Sequence, residues 1–201
     1  MPDAISLLDR DFYARPAPVV ARELLNKVFV AGELSARIVE TEAYGGSDDP
    51  ASHGHRRRTE RNGAMFGPPG HLYVYFTYGM HYCVCVVTGE DEEPSAVLIR
   101  AGEPLAGLDA MRPRRPKARI DRDLTNGPAK FAAAFGLTTD HDRLDLCGPE
   151  QRTQPIYLAT DGTAAPSRPA SSTRVGLTKG TTIRWRWYVR NNQFVSPGRP
   201  S

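Results

Sequence analysis

Two apolar runs separated by a glycine are the feature that most restricts how this chain can fold. Residues 72–78 and 81–87 are rich in valine, phenylalanine and tyrosine, the composition of β-strands. Gly79 and Met80 between them fit the central positions of a type II′ turn, which has glycine first. The sequence therefore predicts a β-hairpin. Its tyrosines are Tyr73, Tyr75, Tyr78 and Tyr82.

Residues 34–44 read as an apolar strand that runs into two carboxylates and a tyrosine. Alternate side chains of a strand share a face. The side chains expected together on one face are those of Ile38, Glu40, Glu42 and Tyr44. Acidic residues are rarely buried without a partner, so this row indicates a pocket. The alternative, that the strand ends at Glu40 and both acids are solvated, is left open by this segment alone.

The remaining pattern indicates one mixed domain of helices and strands. A length of 201 residues with 40% apolar residues suits one domain or two very small ones, and no linker is visible. Helices are predicted over residues 16–25, 104–111 and 126–136, the last with Phe131 and Phe135 buried. Further strands are predicted over 28–30, 96–100, 156–158 and 185–189. Residues 45–70 and 112–122 are predicted to be loops, and the tail after residue 197 is predicted to be disordered.

The charge distribution is more informative than the net charge of +3. Arginines crowd residues 56–61, 112–122 and 184–190, whereas acids cluster at residues 90–93. Segregated charge of this kind suits a protein with one face toward a polyanion. Unrelated solvated loops remain the alternative.

The three cysteines, Cys83, Cys85 and Cys147, form neither a disulfide framework nor a zinc ribbon. A reduced, intracellular protein is therefore expected. The charged N-terminal residues do not resemble a signal peptide, and no apolar run approaches membrane-spanning length. No membrane partner is expected.

Glu42 and Arg100 are the candidates for general-base chemistry. Each is predicted to close an apolar strand, and pairing of those strands would bring the two side chains together. Arg100 could then hold a water molecule that Glu42 deprotonates. A plain salt bridge at a sheet edge is the alternative.

Other chemistries find little support in the sequence. The histidines are scattered and no serine lies in a nucleophile elbow. His53 and His55 have no third ligand at a suitable spacing, and residues 67–70 lack the lysine of a phosphate-binding loop. Neither a metal nor another cofactor is expected.

Tyr78 is predicted at the exposed tip of the hairpin, close in sequence to basic loops. An exposed aromatic side chain forgoes the burial that usually explains it. Such a residue can insert into a DNA duplex and occupy the space of an extruded nucleotide. The alternative is a tyrosine folded back on its own hairpin.

Taken together, these segments resemble the 3-methyladenine DNA glycosylase family of the alkyladenine (methylpurine) type. The resemblance covers nearly the whole chain, thinning over residues 150–172 and after residue 196. The matching stretches include Arg37-Ile-Val-Glu-Thr-Glu-Ala-Tyr44, Asp49-Pro-Ala-Ser-His53, Arg61-Asn-Gly-Ala-Met-Phe66, Gly70-His-Leu-Tyr-Val-Tyr-Phe-Thr-Tyr-Gly-Met80, Val97-Leu-Ile-Arg-Ala101, Asn126-Gly-Pro128 and Arg174-Val-Gly176.

The resemblance implies an α+β fold: a single domain over residues 1–201 with a mainly antiparallel, curved sheet flanked by helices. Its hairpin would protrude into the DNA minor groove. The implied catalytic residues are Glu42 as general base, Arg100 as a holder of the attacking water, and Val175 through its backbone carbonyl. Tyr44, His53 and Tyr75 would line the base pocket, and Tyr78 would intercalate.

Cys85 is a departure from the family pattern, which usually has asparagine there. That asparagine is thought to obstruct the exocyclic amine of normal guanine, and a thiol is smaller and a weaker hydrogen-bonding group. Discrimination against guanine is therefore the property that this position puts in question.

The expected function is a monofunctional glycosylase, acting as a monomer on double-stranded DNA with a damaged purine. No lysine falls in the pocket motifs, so no Schiff base is expected. Two alternatives stand beside it. One is a module that binds lesions without cutting, and the other is a hydrolase of free nucleosides or another small molecule.

Overall fold

The computed structural model describes residues 5–148 and 156–198, and within these ranges short helices flank nine β-strands. The strands are β1 (Ser6–Leu7), β2 (Val28–Ala31), β3 (Leu34–Tyr44), β4 (Leu72–Thr77), β5 (His81–Thr88), β6 (Ser95–Ala106), β7 (Ile156–Thr160), β8 (Ala170–Ser172) and β9 (Arg186–Tyr188). The α-helices are α1 (Arg10–Tyr13), α2 (Ala17–Glu23), α3 (Leu108–Arg114), α4 (Arg122–Thr125) and α5 (Pro128–Phe135), with 3₁₀ turns at Gly63–Phe66 and Thr139–His141.

The strands form one antiparallel sheet in the order β1-β7-β2-β3-β6-β5-β4. β9 pairs with β3 over Glu40, Thr41 and Glu42, and β8 pairs with β9. The sheet curls into a half-barrel, so the fold is a single α+β domain and the predicted class is confirmed. Within the described ranges, no helix is long and apolar enough to cross a membrane.

The main apolar core lies between the sheet and helices α2 and α5. Phe131 and Phe135 on α5 stack with ring centroids 4.6 Å apart, and both contact the ring of Phe29 edge-on. α5 ends at Gly136, whose φ of 69° is the left-handed conformation that glycine adopts readily. The predicted helix over residues 126–136 and its buried phenylalanines are confirmed.

A double bulge between β3 and β6 reverses the faces of β3 halfway along. Ile38 pairs with Gly102, Glu40 with Ala101 and Thr41 with Ile99, so Val39 and then Arg100 are extra residues in their strands. One extra residue moves every later side chain to the opposite face. Ile38 therefore packs in the main core, whereas Glu40 and Glu42 point to the other side. The prediction that Ile38 shares a face with the two acids is wrong.

The hairpin of β4 and β5 is confirmed, but its turn differs from the prediction. The last paired residues are Thr77 and His81, and the Met80 N–H donates to the Thr77 carbonyl. Tyr78 and Gly79 are thus the central residues, with φ of 52° and 68°. Positive φ at both positions is the type I′ pattern, not type II′. Glycine supplies one of the two left-handed positions, and Tyr78 accepts the strain of the other.

Two predicted boundaries near residue 100 are wrong. β6 continues past Arg100 to Ala106, because the bulge accommodates Arg100 and the pairing with β3 resumes beyond it. The helix predicted from residue 104 begins only at Leu108, after Gly107 with a φ of 77°. Met111 is fully buried, whereas Leu105 lies on the strand and is 44% exposed.

Smaller differences lie in the irregular regions. α3 and α4 extend into both ends of residues 112–122, which were predicted to be loop. The short strands β1 and β8 were not predicted, because two or three residues carry no readable periodicity. The strands predicted near residues 156 and 186 are confirmed. In the tail predicted to be disordered, residues 199–201 lie outside the described residues.

Candidate active site

Glu42 lies in the middle of the sheet, between β6 and β9, and is fully buried. Arg100 Nη1 forms an ion pair with Glu42 Oε2 at 3.1 Å. The Tyr44 hydroxyl donates to Oε2 at 2.9 Å, and the Val175 N–H donates to Oε1 at 2.8 Å. The carboxylate is thus held by three groups, which rules out a frayed strand with solvated acids. It also rules out a salt bridge at a sheet edge.

Glu40 joins Arg100 to a second buried arginine. Arg100 Nε and Arg186 Nε each donate to Glu40 Oε1 at 2.7 Å. Burial alone would raise the pKa of Glu40, but the charges of Arg100 and Arg186 outweigh it and leave the pKa below its ordinary value. Burial would likewise lower the pKa of Arg100, but Glu42 and Glu40 raise it above the usual range. Arg100 is therefore a permanent cation between two acids.

A cavity of about 380 Å³ opens on this charged cluster. Cys85 and Leu98 lie in one row across the sheet with Glu42, because Leu98 pairs with Cys85 on one side and with Glu42 on the other. Glu42 itself sits beneath the wall, contacted by three residues that line the cavity. Of the predicted site residues, those lining it are Tyr44, His53, Tyr75, Tyr78, Cys85, Arg100 and Val175. The structure thus brings all eight candidates to one place, while their roles stay predictions.

Aromatic rings form one wall of the cavity. Tyr73 and Tyr75 stack with centroids 5.1 Å apart, and His53 meets Tyr75 edge-on at 4.8 Å. His53 Nδ1 lies 2.9 Å from the Tyr73 hydroxyl. Burial, aided by Arg61, lowers the pKa of His53, and burial raises the pKa of Tyr75. These rings are therefore neutral at physiological pH and present faces on which a purine can stack.

Tyr44 is supported from below by a buried ion pair that the sequence did not single out. Arg174 is fully buried, donates to Asp49 Oδ1 at 2.8 Å and lies 4.8 Å from the centre of the Tyr44 ring. This pair ties the irregular loop that carries His53 to the sheet. Asp49 and Arg174 each lie in a motif that carries the family resemblance. Their presence in those motifs is the sequence feature that could have pointed to them. Tyr73 was likewise noted only as part of the hairpin.

Tyr78 stands at the mouth of the cavity and is 81% exposed, so it is not folded back on the hairpin. A second cavity of about 280 Å³ adjoins the first and shares His53 and Tyr73 with it. It is lined by cations and lies beside the hairpin, where Arg61 Nη2 donates to the Phe76 carbonyl at 2.9 Å. Its basic side chains are Arg56, Arg57, Arg61 and Lys179.

The arginine group at residues 184–190 is divided between the interior and the surface. Arg186 is buried in the ion-pair cluster, whereas Arg184 and Arg190 are exposed and donate to the backbone carbonyls of Ser171 and Arg168. Among the described residues, no group of three or more side chains is placed to hold a metal ion.

Comparison with known proteins identifies the class to which this fold and site belong. The family model for methylpurine-DNA glycosylase matches residues 11–193. A protein of Burkholderia lata is 48% identical over 95% of this chain and 91% of its own length. A protein of Streptomyces avermitilis is 44% identical over 96% of this chain and 92% of its own length. A protein of Methanocella arvoryzae is 42% identical over 96% of this chain and 98% of its own length. All three bear the name "Putative 3-methyladenine DNA glycosylase".

These matches show an enzyme class, the DNA glycosylases, which hydrolyse N-glycosyl bonds in base excision repair. The chain belongs to the methylpurine-DNA glycosylase family. The family resemblance inferred from the sequence motifs is confirmed.

Proposed function

We propose that the protein releases alkylated or deaminated purines from double-stranded DNA by hydrolysis with water activated by Glu42. The observation that carries the proposal is the buried Glu42 carboxylate, held by Arg100, Tyr44 and Val175 directly behind an aromatic cavity. A base placed in that cavity would stack on tyrosine faces with its sugar toward the carboxylate.

The chemical step needs one water molecule and one proton acceptor. Glu42 takes a proton from water as the oxygen attacks C1′ of the flipped nucleotide, and Arg100 orients that water. The N-glycosidic bond breaks, and its electron pair leaves with the purine. Alkylation at N3 or N7 makes the purine cationic, so the departing pair neutralises it and the base is a good leaving group. A neutral deaminated purine leaves as an anion, which takes up the proton that Glu42 removed from the water. Val175 lines the cavity, and its backbone carbonyl is the further proposed contact of the water.

Access to a base inside a duplex requires base flipping, which costs a few kcal/mol. Tyr78 offsets part of this cost by filling the gap that the nucleotide leaves, with the hairpin inserted in the minor groove. Its exposure supports this role, because an exposed aromatic side chain gains none of the burial that usually explains it. A cationic base over Tyr44 and Tyr75 gains on the order of 0.5 to 2 kcal/mol from cation–π attraction.

The cavity wall supports a monofunctional reaction, because no lysine lines it in the part of the chain that the structure describes. A covalent imine intermediate and strand cleavage are therefore not part of the proposal. We further propose that the protein acts as a monomer, inside the cell, where its DNA substrate lies. Family membership disfavours the lesion-binding module and the hydrolase of free nucleosides.

Glu42→Gln tests the proposal. Single-turnover release of 7-methylguanine and of hypoxanthine from defined duplexes is measured as alkali-labile abasic sites, beside binding of the same duplexes. We expect the rate of purine release to fall by roughly 10²–10⁴-fold, because the variant lacks the general base, whereas binding of the duplex should be retained. The matched control is Glu23→Gln, which changes a half-exposed partner of Arg15 and should release base normally. Normal turnover in Glu42→Gln would show that Glu42 is not the general base. Release from free nucleosides as fast as from the duplex would favour a hydrolase of free nucleosides.

A further inference from the structure

Glu40 is a fully buried carboxylate for which the proposed reaction has no direct use. Besides Arg100 and Arg186, it accepts hydrogen bonds from Ser196: the backbone N–H donates to Oε2 at 2.7 Å, and Oγ donates to Oε1 at 2.9 Å. Four donors converge on one side chain. A group held this firmly beside a reactive centre is suited to hold another group in place.

The group that it holds is Arg100. One edge of the guanidinium contacts Glu40 through Nε at 2.7 Å, and Nη1 contacts Glu42 at 3.1 Å. Because a guanidinium is planar and rigid, two carboxylates at two of its nitrogens fix its plane. Arg100 also lines the cavity, so this plane sets the direction in which it can meet a water molecule or the sugar.

Ser196 belongs to a C-terminal segment, residues 194–198, that packs beneath the cluster. Phe194 is buried in a small apolar cluster with Val39, the bulged residue of β3, and Ala101. A Cβ on Gly198 would lie 3.0 Å from the Val175 side chain. The segment follows the last residue matched by the family model, residue 193.

We propose that Glu40 is a positioning residue that fixes Arg100 against Glu42, and that the C-terminal segment completes the active site by holding Glu40 through Ser196. The inference rests on the proposed function, in which Glu42 is the base. It gives the C-terminal segment a part in catalysis.

The charges around Glu42 make this role measurable through pH. Its own strand supplies Tyr44 and Glu40, β6 supplies Arg100, β9 supplies Arg186 and β5 supplies Cys83 and Cys85. Glu40 is the other acid in this set and shares Arg100 with Glu42. Without its charge, the positive charges of Arg100 and Arg186 act on Glu42 alone and favour its ionised form. The acidic limb of the pH–rate profile would then move to lower pH.

Glu40→Gln and Ser196→Ala test the proposal in the full-length protein, with Glu23→Gln as control. For Glu40→Gln we expect single-turnover release of 7-methylguanine to fall on the order of 100-fold at unchanged DNA affinity, because Arg100 is misplaced. Its acidic limb should move to lower pH, because a neighbouring negative charge is removed. For Ser196→Ala we expect a loss of about fivefold, because the variant lacks the hydrogen bond that Oγ donates to Glu40 and the one that it accepts from Arg100 Nη2. The limb should stay where it is, because the charges are unchanged.

A purely structural role would lower the folded fraction but leave the single-turnover release rate of the folded enzyme where it was. Wild-type rates with an unmoved acidic limb in folded Glu40→Gln, or a wild-type rate in Ser196→Ala, would overturn the proposal. If Glu40→Gln does not fold, Ser196→Ala decides alone. If the wild-type protein is active and Glu42→Gln is inactive, such a result contradicts only the role of Glu40. If Glu42→Gln releases the purine normally, the proposed function itself is wrong.

Discussion

The two halves of β3 are built from one continuous strand and serve opposite purposes. Before the bulge, Leu34, Ala36 and Ile38 face the main apolar core. After it, Glu40 and Glu42 turn to the other face of the sheet, where they meet two buried arginines. The difference teaches that a single inserted residue, Val39, separates a folding surface from a reactive one.

The electrostatics of the two halves differ as much as their packing. Arg37 on the first half pairs with Asp161 at 2.7 Å, and both side chains keep more than a fifth of their surface exposed. Arg100 pairs with two acids that are fully buried. Water screens the first pair, whereas the second depends on its partners for all of its solvation.

The largest expected effect comes from placing an acid on the wrong half. Ile38→Glu would bury an unpaired carboxylate in the main core, at a cost of several kcal/mol or more, comparable with the whole stability of a domain. We expect no folded protein by circular dichroism and thermal unfolding. Ile38→Val, the size control, should cost only about 0.5–1.5 kcal/mol. A folded and stable Ile38→Glu protein would mean that Ile38 shares the face of the acids after all.

The next effect compares the two arginines under one substitution. Arg100→Met should lower the free energy of unfolding by about 3–5 kcal/mol, because it strands buried charge, and should abolish base release. Arg37→Met should lower it by about 1 kcal/mol or less and leave release intact. Urea unfolding of both variants measures the difference. Equal costs would show that the two halves of β3 do not differ in their dependence on ion pairs.

The smallest expected effect concerns selectivity rather than stability. Cys85 lies in the same row of the sheet as Glu42, so Cys85→Asn would place an amide on the cavity wall. We expect release of unmodified guanine to fall on the order of tenfold relative to 7-methylguanine. Cys147→Asn is the control, since Cys147 does not line the cavity. An unmoved substrate ranking in Cys85→Asn would make the position structural.

Local patterns in the sequence predicted the elements that have strong periodicity or a distinct stop signal. The hairpin of residues 72–88 follows from the composition of its strands. The end of the helix α5 follows from Gly136, a glycine in the left-handed conformation. The pairing of Glu42 with Arg100 also followed, because adjacent antiparallel strands bring the two together. The family motifs pointed to the remaining pocket residues.

Other features left no local signal. The bulge is a property of two paired strands, so residues 34–44 read alone predicted one regular face. The turn type depends on which residues pair last, which moved Tyr78 into a central position. The link between Glu40 and Ser196 joins residues 156 positions apart, beyond the reach of any periodic pattern.

The amino-acid sequence alone specified an α+β protein with a tyrosine-rich hairpin and an acid–arginine pair, since strand periodicity, turn residues and motif order are local properties. The tertiary structure decided which face each acid occupies and which donors surround it. The physical reason is that a buried carboxylate is stable only where several donors converge. Around Glu40 and Glu42 the donors from outside β3 come from β6, β9, Val175 and the C-terminal segment, which only folding brings together.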